Sequence, residues 1–313
     1  MSEGELTIII PTYNRKDLLR RTLEAYCSQS AQEEILEILV VDDESTDGTA
    51  EAVSDFSRGA DIPVRYFRLP HRGQAAARNY GIRAAKGRLV LFGDDDIVPA
   101  PDLVAEHLAW HGIYSEPSVG VLGLVKWAPE VGPTPFMEWL AKDGVLFAYG
   151  CLKPGEEVGF RYFYSCNLSL KTDFLRENGV FDEDFKGYGF EDIELGYRLE
   201  KRGLRLRYNP RGVGYHHKFV SFADVRRRAE LVAAAWRVFE TKEAGKYVAE
   251  VEALRKRTLA YRVKQLISKP MIPFVGFLRP FLDTQIGLPR LAYRRIYHYL
   301  AELPAERKAK RSS

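Results

Sequence analysis

Apolar residues in the first hundred positions fall into short runs separated by stretches with helical spacing. Residues 6–10 (LTIII) are β-branched and stop at Pro11, and 17–28 then carry Leu18, Leu19, Leu23 and Tyr26 on one helical face. Residues 35–41 predict a second buried strand ending in Asp42-Asp43, after which Thr46 or Asp47 caps a helix through Ala50 and Val53 to Phe56. A third strand is expected over 64–69, an alanine-rich helix over 73–85 that stops at Gly87, and a fourth strand over 89–92. Strands joined by helices of this length need right-handed crossovers, which predicts an α/β fold with a mostly parallel sheet covered on both faces. Ligands of such sheets bind outside the carboxyl ends of the strands. Those ends carry Pro11-Thr12-Tyr13-Asn14, Asp42-Asp43-Glu44-Ser45 and Asp94-Asp95-Asp96, so three polar clusters should converge on one crevice.

Beyond Pro117 the pattern loosens. A strand is expected over 119–125, followed by a loop-rich segment with Trp127, Phe136, Trp139 and Tyr149. These aromatics suit either an acceptor site or a satellite core under long loops. A strand over 167–171, a helix over 191–202 closing on Gly203, and short strands over 206–208 and 213–216 complete this part. From Phe222 the character changes to long amphipathic helices, 222–240 and about 246–267. A proline-interrupted stretch with Phe274, Phe277 and Phe281, a helix over about 291–303 and a basic tail over 307–313 follow. The organisation expected is a catalytic domain over 1–220, with halves at about 1–97 and 98–220, and a basic amphipathic helical extension over 221–313.

Charge sharpens that division. The net charge is only +3, yet residues 221–313 hold 20 Lys and Arg against 9 Asp and Glu, which leaves 26 against 34 for residues 1–220. Cys27, Cys151 and Cys166 are odd in number and lack metal-ligand spacing, which predicts reduced core thiols. The chain opens on Met-Ser-Glu-Gly-Glu and passes straight into a strand, and no apolar run spans a bilayer; the nearest, 271–282, is broken by prolines and Arg279. A cytoplasmic protein is expected.

Three adjacent carboxylates at a strand end repel one another, so a cation is needed among them. A divalent metal carrying its own phosphate is one solution; a solvated acidic loop or a helix N-cap is the plain alternative. Neighbouring motifs weigh on this choice. IIIPTYNR (8–15), VVDDESTDGT (40–49), GQAAARNYGIRAAKG (73–87), LFGDDDI (91–97), NLSLKT (167–172) and FDEDFKGYGFEDIELGYRLEKRG (181–203) occur in order. Together they resemble a family 2 glycosyltransferase of the GT-A fold, and the last block is also similar to the corresponding segment of galactosyl- and N-acetylgalactosaminyltransferases. The resemblance covers residues 6–217 and implies a Rossmann-like, mostly parallel sheet with flanking helices, to which the helical appendage is added.

A nucleotide-sugar donor presents a base, a ribose and a diphosphate. Pro11 and Tyr13 lie where an aromatic face can meet the base, Asp43 can accept from an imide N–H as this position does to uracil in the family, and Arg78 can reach base or phosphate. Their plain alternatives are a gap-filling aromatic, a helix-capping acid (a task Asp47 serves better) and an internal salt bridge. Gly73 permits close backbone approach. The resemblance assigns Asp95 to the ribose, Asp96 to Mn²⁺ or Mg²⁺ against the diphosphate, and Asp94 to an outer or water-mediated contact. It also makes Asp192 the general base, with Glu191 orienting the acceptor, at a helix start whose dipole favours ionised acids. A base opposite the departing diphosphate implies inversion. His216, preferred over His217, is implied as a further metal ligand, and Asn167 lies either near the donor sugar or in a loop-stabilising position.

Arg226-Arg227-Arg228, Arg255-Lys256-Arg257 and Arg294-Arg295 suit an anionic membrane surface at its inner face, near a lipid-linked acceptor, or equally a solvated face of a packed appendage. No nucleic-acid module accompanies the charge. The expected activity is metal-dependent, inverting transfer of a sugar, from a UDP-sugar, to a hydroxyl of a glycan or lipid-linked saccharide. The alternatives are a sugar-1-phosphate nucleotidyltransferase, disfavoured because its glycine-rich loop after the first strand is replaced by Pro-Thr-Tyr-Asn-Arg, and a non-catalytic sugar-nucleotide-binding protein. Gly-x-Ser-x-Gly, Walker A and Gly-x-Gly-x-x-Gly motifs are all missing from the sequence.

Overall fold

The computed structural model describes residues 5–143, 146–257 and 276–298. It divides into two compact units, one of 1–130, 152–186 and 191–218, the other of 131–151, 187–190 and 219–313. The second unit thus takes in 131–151 and 187–190, which the sequence reading places in the catalytic domain.

In the first unit, β1 (Leu6–Thr12), β2 (Ile35–Asp42), β3 (Val64–Arg68) and β4 (Leu89–Gly93) form the parallel half of a nine-stranded sheet. The helices between them are α1 (Lys16–Tyr26), α2 (Thr49–Ser57) and α3 (Gln74–Ala84). Alternation along β1 decides which helix covers which face. Leu6, Ile8 and Ile10 join one buried cluster with Leu19, Leu23 and Tyr26 of α1 and Val53 of α2. Ile9 points the other way, against α3. There Gly81 is required by space, since a Cβ on it would lie 2.4 Å from Ile9 Cγ2. The alanines Ala75, Ala76 and Ala77 of α3 are buried as well, so this helix lies close on the sheet.

Boundaries differ from expectation where prolines occur. β1 runs through Pro11, which pairs in register with Val41, and the chain after the acidic triplet forms β5 (Ile97–Pro99), an edge strand antiparallel to the last strand. Proline's missing N–H is tolerated at such a sheet edge. Next come α4 (Leu103–Ile113), β6 (Val119–Trp127), β7 (Glu157–Val158), β8 (Asn167–Lys171) and α6 (Thr172–Asn178). The unit ends with α7 (Glu191–Lys201) and β9 (Arg205–His216). β8 enters antiparallel to β4, and β6 and β9 lie parallel to each other beyond it, giving the order β3-β2-β1-β4-β8-β6-β9-β5 with β7 on β9. The two short strands expected over 206–208 and 213–216 are one strand interrupted by a bulge, because Leu122 pairs with Tyr208 and Leu124 with Val213.

A buried polar network secures that bulge. Asn167 Nδ2 donates to the carbonyls of Gly212 (2.9 Å) and Leu124 (3.2 Å), and its Oδ1 pairs with His107 Nε2 at 2.9 Å. Ser169 Oγ meets His107 Nδ1 at 2.7 Å and His111 Nε2 at 2.8 Å. Asn167 therefore takes the stabilising role of its two sequence readings.

In the second unit, α5 (Pro135–Lys142) starts on Thr134, whose hydroxyl accepts from Met137 N, with Pro135 preset for the first turn. Ser221 and Asp224 form a reciprocal capping box at the head of α8 (Phe222–Thr241), followed by α9 (Glu243–Arg257) and α10 (Arg290–Tyr297). Phe136 and Trp139 are buried against Tyr293, so these aromatics, like buried Tyr149, form core rather than a lining. The cationic face is partly consumed internally: Arg227 pairs with Asp224, Arg228 lies over the Tyr188 ring, and Arg295 is buried. Residues 258–275 and 299–313, with much of the expected helix 246–267, the end of that over 291–303 and the basic tail, lie outside the described residues, as do the side chains of 255–257. No described helix is long and apolar enough to cross a membrane. All three cysteines are free; Cys151 is exposed and Cys27 and Cys166 half-buried, which corrects their expected core placement.

Candidate active site

The carboxyl ends of β1, β2 and β4, the end of β9 and the start of α7 bring most of the expected site residues together. Loops after β1 and β2 are stitched to each other: Asn14 N donates to Ser45 Oγ at 2.7 Å, and Thr46 N to Asn14 Oδ1 at 2.8 Å. Asn14 and Glu44 both hold positive φ (52° and 73°), a conformation rarely used outside glycine and found where loops are over-determined.

Asp42 and Asp43 separate. Asp42 is buried and structural, accepting from Ser45 N and the Tyr66 hydroxyl. Asp43 faces the loop after β3, where Oδ1 accepts from Arg72 N (2.7 Å) and Oδ2 from Gly73 N (3.0 Å), beside His71 Nδ1 at 2.9 Å. The His71 ring in turn lies 4.7 Å from that of Tyr13, which is 47% exposed. An open aromatic face thus stands next to a fixed carboxylate. The N-cap of α2 is Gly48 rather than the expected Thr46 or Asp47, although Asp47 accepts from Thr49 N and Oγ1 just inside the helix, and Pro11 sits in the β1 ladder.

The acidic triplet divides three ways. Asp94 Oδ1 accepts from Arg78 Nη2 at 2.9 Å. Asp95 accepts from Thr12 Oγ1 (2.8 Å) and Arg15 Nη1 (2.9 Å). Asp96 Oδ2 accepts from the same Arg15 Nη1 (2.6 Å) and faces His216 Nε2 at 3.4 Å. Burial drives the Asp95 carboxyl up, and the negative Asp96 adds to this against the pull of Arg15. Burial acts on Asp96 too, but the His216 hydrogen bond and the charges of His216 and Arg15 prevail and hold it low. Asp94 is raised by burial and by the charges of Asp96 and Asp192, with Arg78 opposing.

Arg78 is buried, its side chain only 3% exposed, and joins the triplet to α7: Nη1 lies 3.7 Å from Glu191 Oε1. Its Nε and Nη1 make no hydrogen bond among the described residues. Glu191 is buried and also accepts from Gln74 Nε2. Asp192 is held by Ser165, whose hydroxyl donates to Oδ1 (2.6 Å) and whose N–H donates to Oδ2 (3.1 Å). Gly73 opens α3 with φ of 89°, and a Cβ there would meet the Lys186 carbonyl at 2.7 Å.

The two histidines differ in placement. His216 stacks on Trp127 and faces Asp96, with its Nδ1 buried and unpartnered among the described residues. His217 turns to Arg21, its Nδ1 2.8 Å from Nη1, and gives only its backbone N–H to Asp96. No group of three or more His, Cys, Asp or Glu gathers for a metal among the described residues. Asp96 and His216 nonetheless offer a carboxylate oxygen and an imidazole nitrogen at adjacent strand ends. That pair fits a divalent cation whose remaining ligands come from a diphosphate and water.

Three residues escaped the sequence reading: Arg15, Thr12 and Ser165. Arg15 had a visible signal, being the nearest cation after β1 to an acidic cluster that needs one. Ser165 had none, because its hydroxyl is brought to Asp192 only by tertiary folding.

A parallel half-sheet with acids and aromatics at its carboxyl edge, extended by antiparallel strands, is the GT-A fold. A mannosyltransferase from Pyrobaculum calidifontis, solved with GDP-Man and Mn²⁺, superposes with a TM-score of 0.57 at 21% identity over 100% of this chain and 74% of that one. S. aureus TarS 1–349 in complex with UDP gives a TM-score of 0.55 at 18% identity, over 98% and 90% of the two chains. In sequence, residues 7–121 match the model of Glycosyl transferase family 2. The uncharacterized glycosyltransferase YfnE of Bacillus subtilis (strain 168) is 31% identical over 260 residues, 69% of this chain and 65% of the relative. The chain thus spans just under two thirds of that relative's length.

Proposed function

We propose that the protein transfers a sugar from a nucleotide-diphosphate donor, a UDP-sugar, to a hydroxyl of a glycan or lipid-linked saccharide, with inversion at the anomeric carbon. The observation that carries this reading is the pair of contact sets Asp96–Arg15–Asp95 and Asp94–Arg78–Glu191, the second of which joins the acidic triplet to the head of α7. They link the acids that a diphosphate would meet to the helix start that an acceptor would meet.

Tyr13 offers its open face to the base, and Asp43 retains lone pairs for an imide N–H after accepting from Arg72 and Gly73. Asp95 lies ready for the ribose. Asp96 and His216 would hold Mn²⁺ or Mg²⁺; when bound, such an ion supplies Lewis-acid stabilisation to the departing nucleoside diphosphate. Asp192, in the first turn of α7, is oriented by two donors from Ser165. Its carboxylate takes the proton of the acceptor hydroxyl as that oxygen attacks, while the diphosphate leaves on the opposite face. Glu191, locked by Gln74 and Arg78, shapes the acceptor side. Solved proteins of the same fold hold GDP-Man with Mn²⁺ in one case and UDP in another, which supports a metal-assisted nucleotide-sugar donor. The excess of cations in residues 221–313 would bring the protein to an anionic inner membrane surface.

Calorimetry with UDP and Mn²⁺ tests the site. Asp96→Ala should abolish metal-dependent nucleotide binding, and unchanged affinity would remove Asp96 from it.

A further inference from the structure

Arg15 follows the β1 end cluster and stands at the N-terminal edge of α1, where its own side chain does not cap the helix. Its Nη1 is shared between Asp95 Oδ1 and Asp96 Oδ2, at 2.9 and 2.6 Å. The chain thereby supplies its own cation to the carboxylates that need one. Asp96 Oδ2 is also the oxygen that faces His216 Nε2 at 3.4 Å. A dication held by Asp96 and His216 would bind a carboxylate that a guanidinium already occupies, and like charges so close repel strongly. Arg15 and the metal therefore compete for one carboxylate.

Access favours exchange. The Arg15 side chain is 39% exposed, whereas those of Asp95 and Asp96 are at 6% and 8%, so the guanidinium is the solvent-facing partner of the two pairs. Both of its ion pairs are with these two acids. Once released, it needs another anion, and a diphosphate matches its planar donor fork.

We propose that Arg15 is a resident counter-cation of Asp95 and Asp96 that a divalent metal displaces, so that metal binds weakly alone and tightly with a nucleoside diphosphate that receives the freed guanidinium. This rests on the metal position proposed above. Arg15 is a positioning residue that enforces joint loading of metal and nucleotide.

Calorimetry with Mn²⁺ alone, and with Mn²⁺ plus UDP after subtraction of the Mn²⁺–UDP blank, tests it on the wild-type protein, Arg15→Ala and Asp96→Asn. Wild type should bind Mn²⁺ at least about ten-fold more tightly with UDP than without, and Arg15→Ala should bind Mn²⁺ alone about ten-fold more tightly than wild type. Arg15→Gln, which keeps length and an amide donor but no charge, takes its place should the alanine variant fail to fold. Unchanged or weaker binding of Mn²⁺ alone in the Arg15 variant, with binding lost in Asp96→Asn, overturns the Arg15 role and leaves the metal position standing. Wild-type-like Mn²⁺ binding by Asp96→Asn overturns both. Independence of Mn²⁺ and UDP in wild type overturns the Arg15 role without any variant.

Discussion

Arg78→Met replaces a buried guanidinium by an apolar chain of similar length and leaves Asp94 and Glu191 without their shared cation. The Arg78 and Glu191 side chains are at 3% and 5% exposure and that of Asp94 at 29%, so little solvent screens the loss. Removing one partner of a buried ion pair costs about 3–5 kcal/mol. The lower end applies here, because Asp94 retains some water and Glu191 keeps Gln74. For a cooperative unit of this size, roughly 3 kcal/mol lowers Tm by about 6–12 °C. The pH dependence has a defined sign. Asp94 already titrates above its ordinary range through burial, and loss of Arg78 drives it higher. The cost is therefore present at pH 7.5 and relieved as falling pH protonates Asp94. Thermal unfolding of wild type and variant at pH 7.5 and 5 reads both effects. A drop below about 2 °C at pH 7.5, or a gap that widens on acidification, would refute the role of Arg78 as the cation between triplet and helix.

Asn167→Ala strips partners from the carbonyls of Gly212 and Leu124 and from His107, and should cost about 3 kcal/mol in urea unfolding; a loss below about 1 kcal/mol would show that the bulge holds without it. Burial pushes the His107 imidazole down to about 4. Between that value and the unfolded one of about 6.5, the unfolded chain binds more protons, so the contribution is whole above the unfolded pKa and lost as pH falls through the folded one. It amounts to roughly 3 kcal/mol, and His107→Gln should flatten that part of the stability profile; an unaltered slope between about pH 6.5 and 4 would assign it elsewhere.

The parallel half of the sheet was readable because buried strands with covered faces are apolar throughout, and the acids after β2 and β4 mark where each strand leaves the core. The antiparallel half was less readable. Pro99 ends β5, where an edge position removes proline's penalty. Asn209-Pro210-Arg211-Gly212 has the composition of a turn but forms a bulge, which depends on Asn167 some forty residues earlier. Asp94, Asp95 and Asp96 look equivalent as letters and acquire different partners only through Arg78, Thr12, Arg15 and His216, drawn from three other segments. Three adjacent carboxylates need a cation, and Arg15 stands against two of them in the structure.

In the proposed reaction Asp192 withdraws the proton when a sugar leaves its nucleoside diphosphate. Release of nucleoside diphosphate from a panel of UDP- and GDP-sugars with Mn²⁺, compared between wild type and Asp192→Asn, tests it most directly. Wild type should turn over a UDP-sugar. The variant should lose about 10²- to 10⁴-fold in rate while the same donor still raises its Tm. Undiminished release by Asp192→Asn would contradict the assignment of the base and, with it, the proposed reaction.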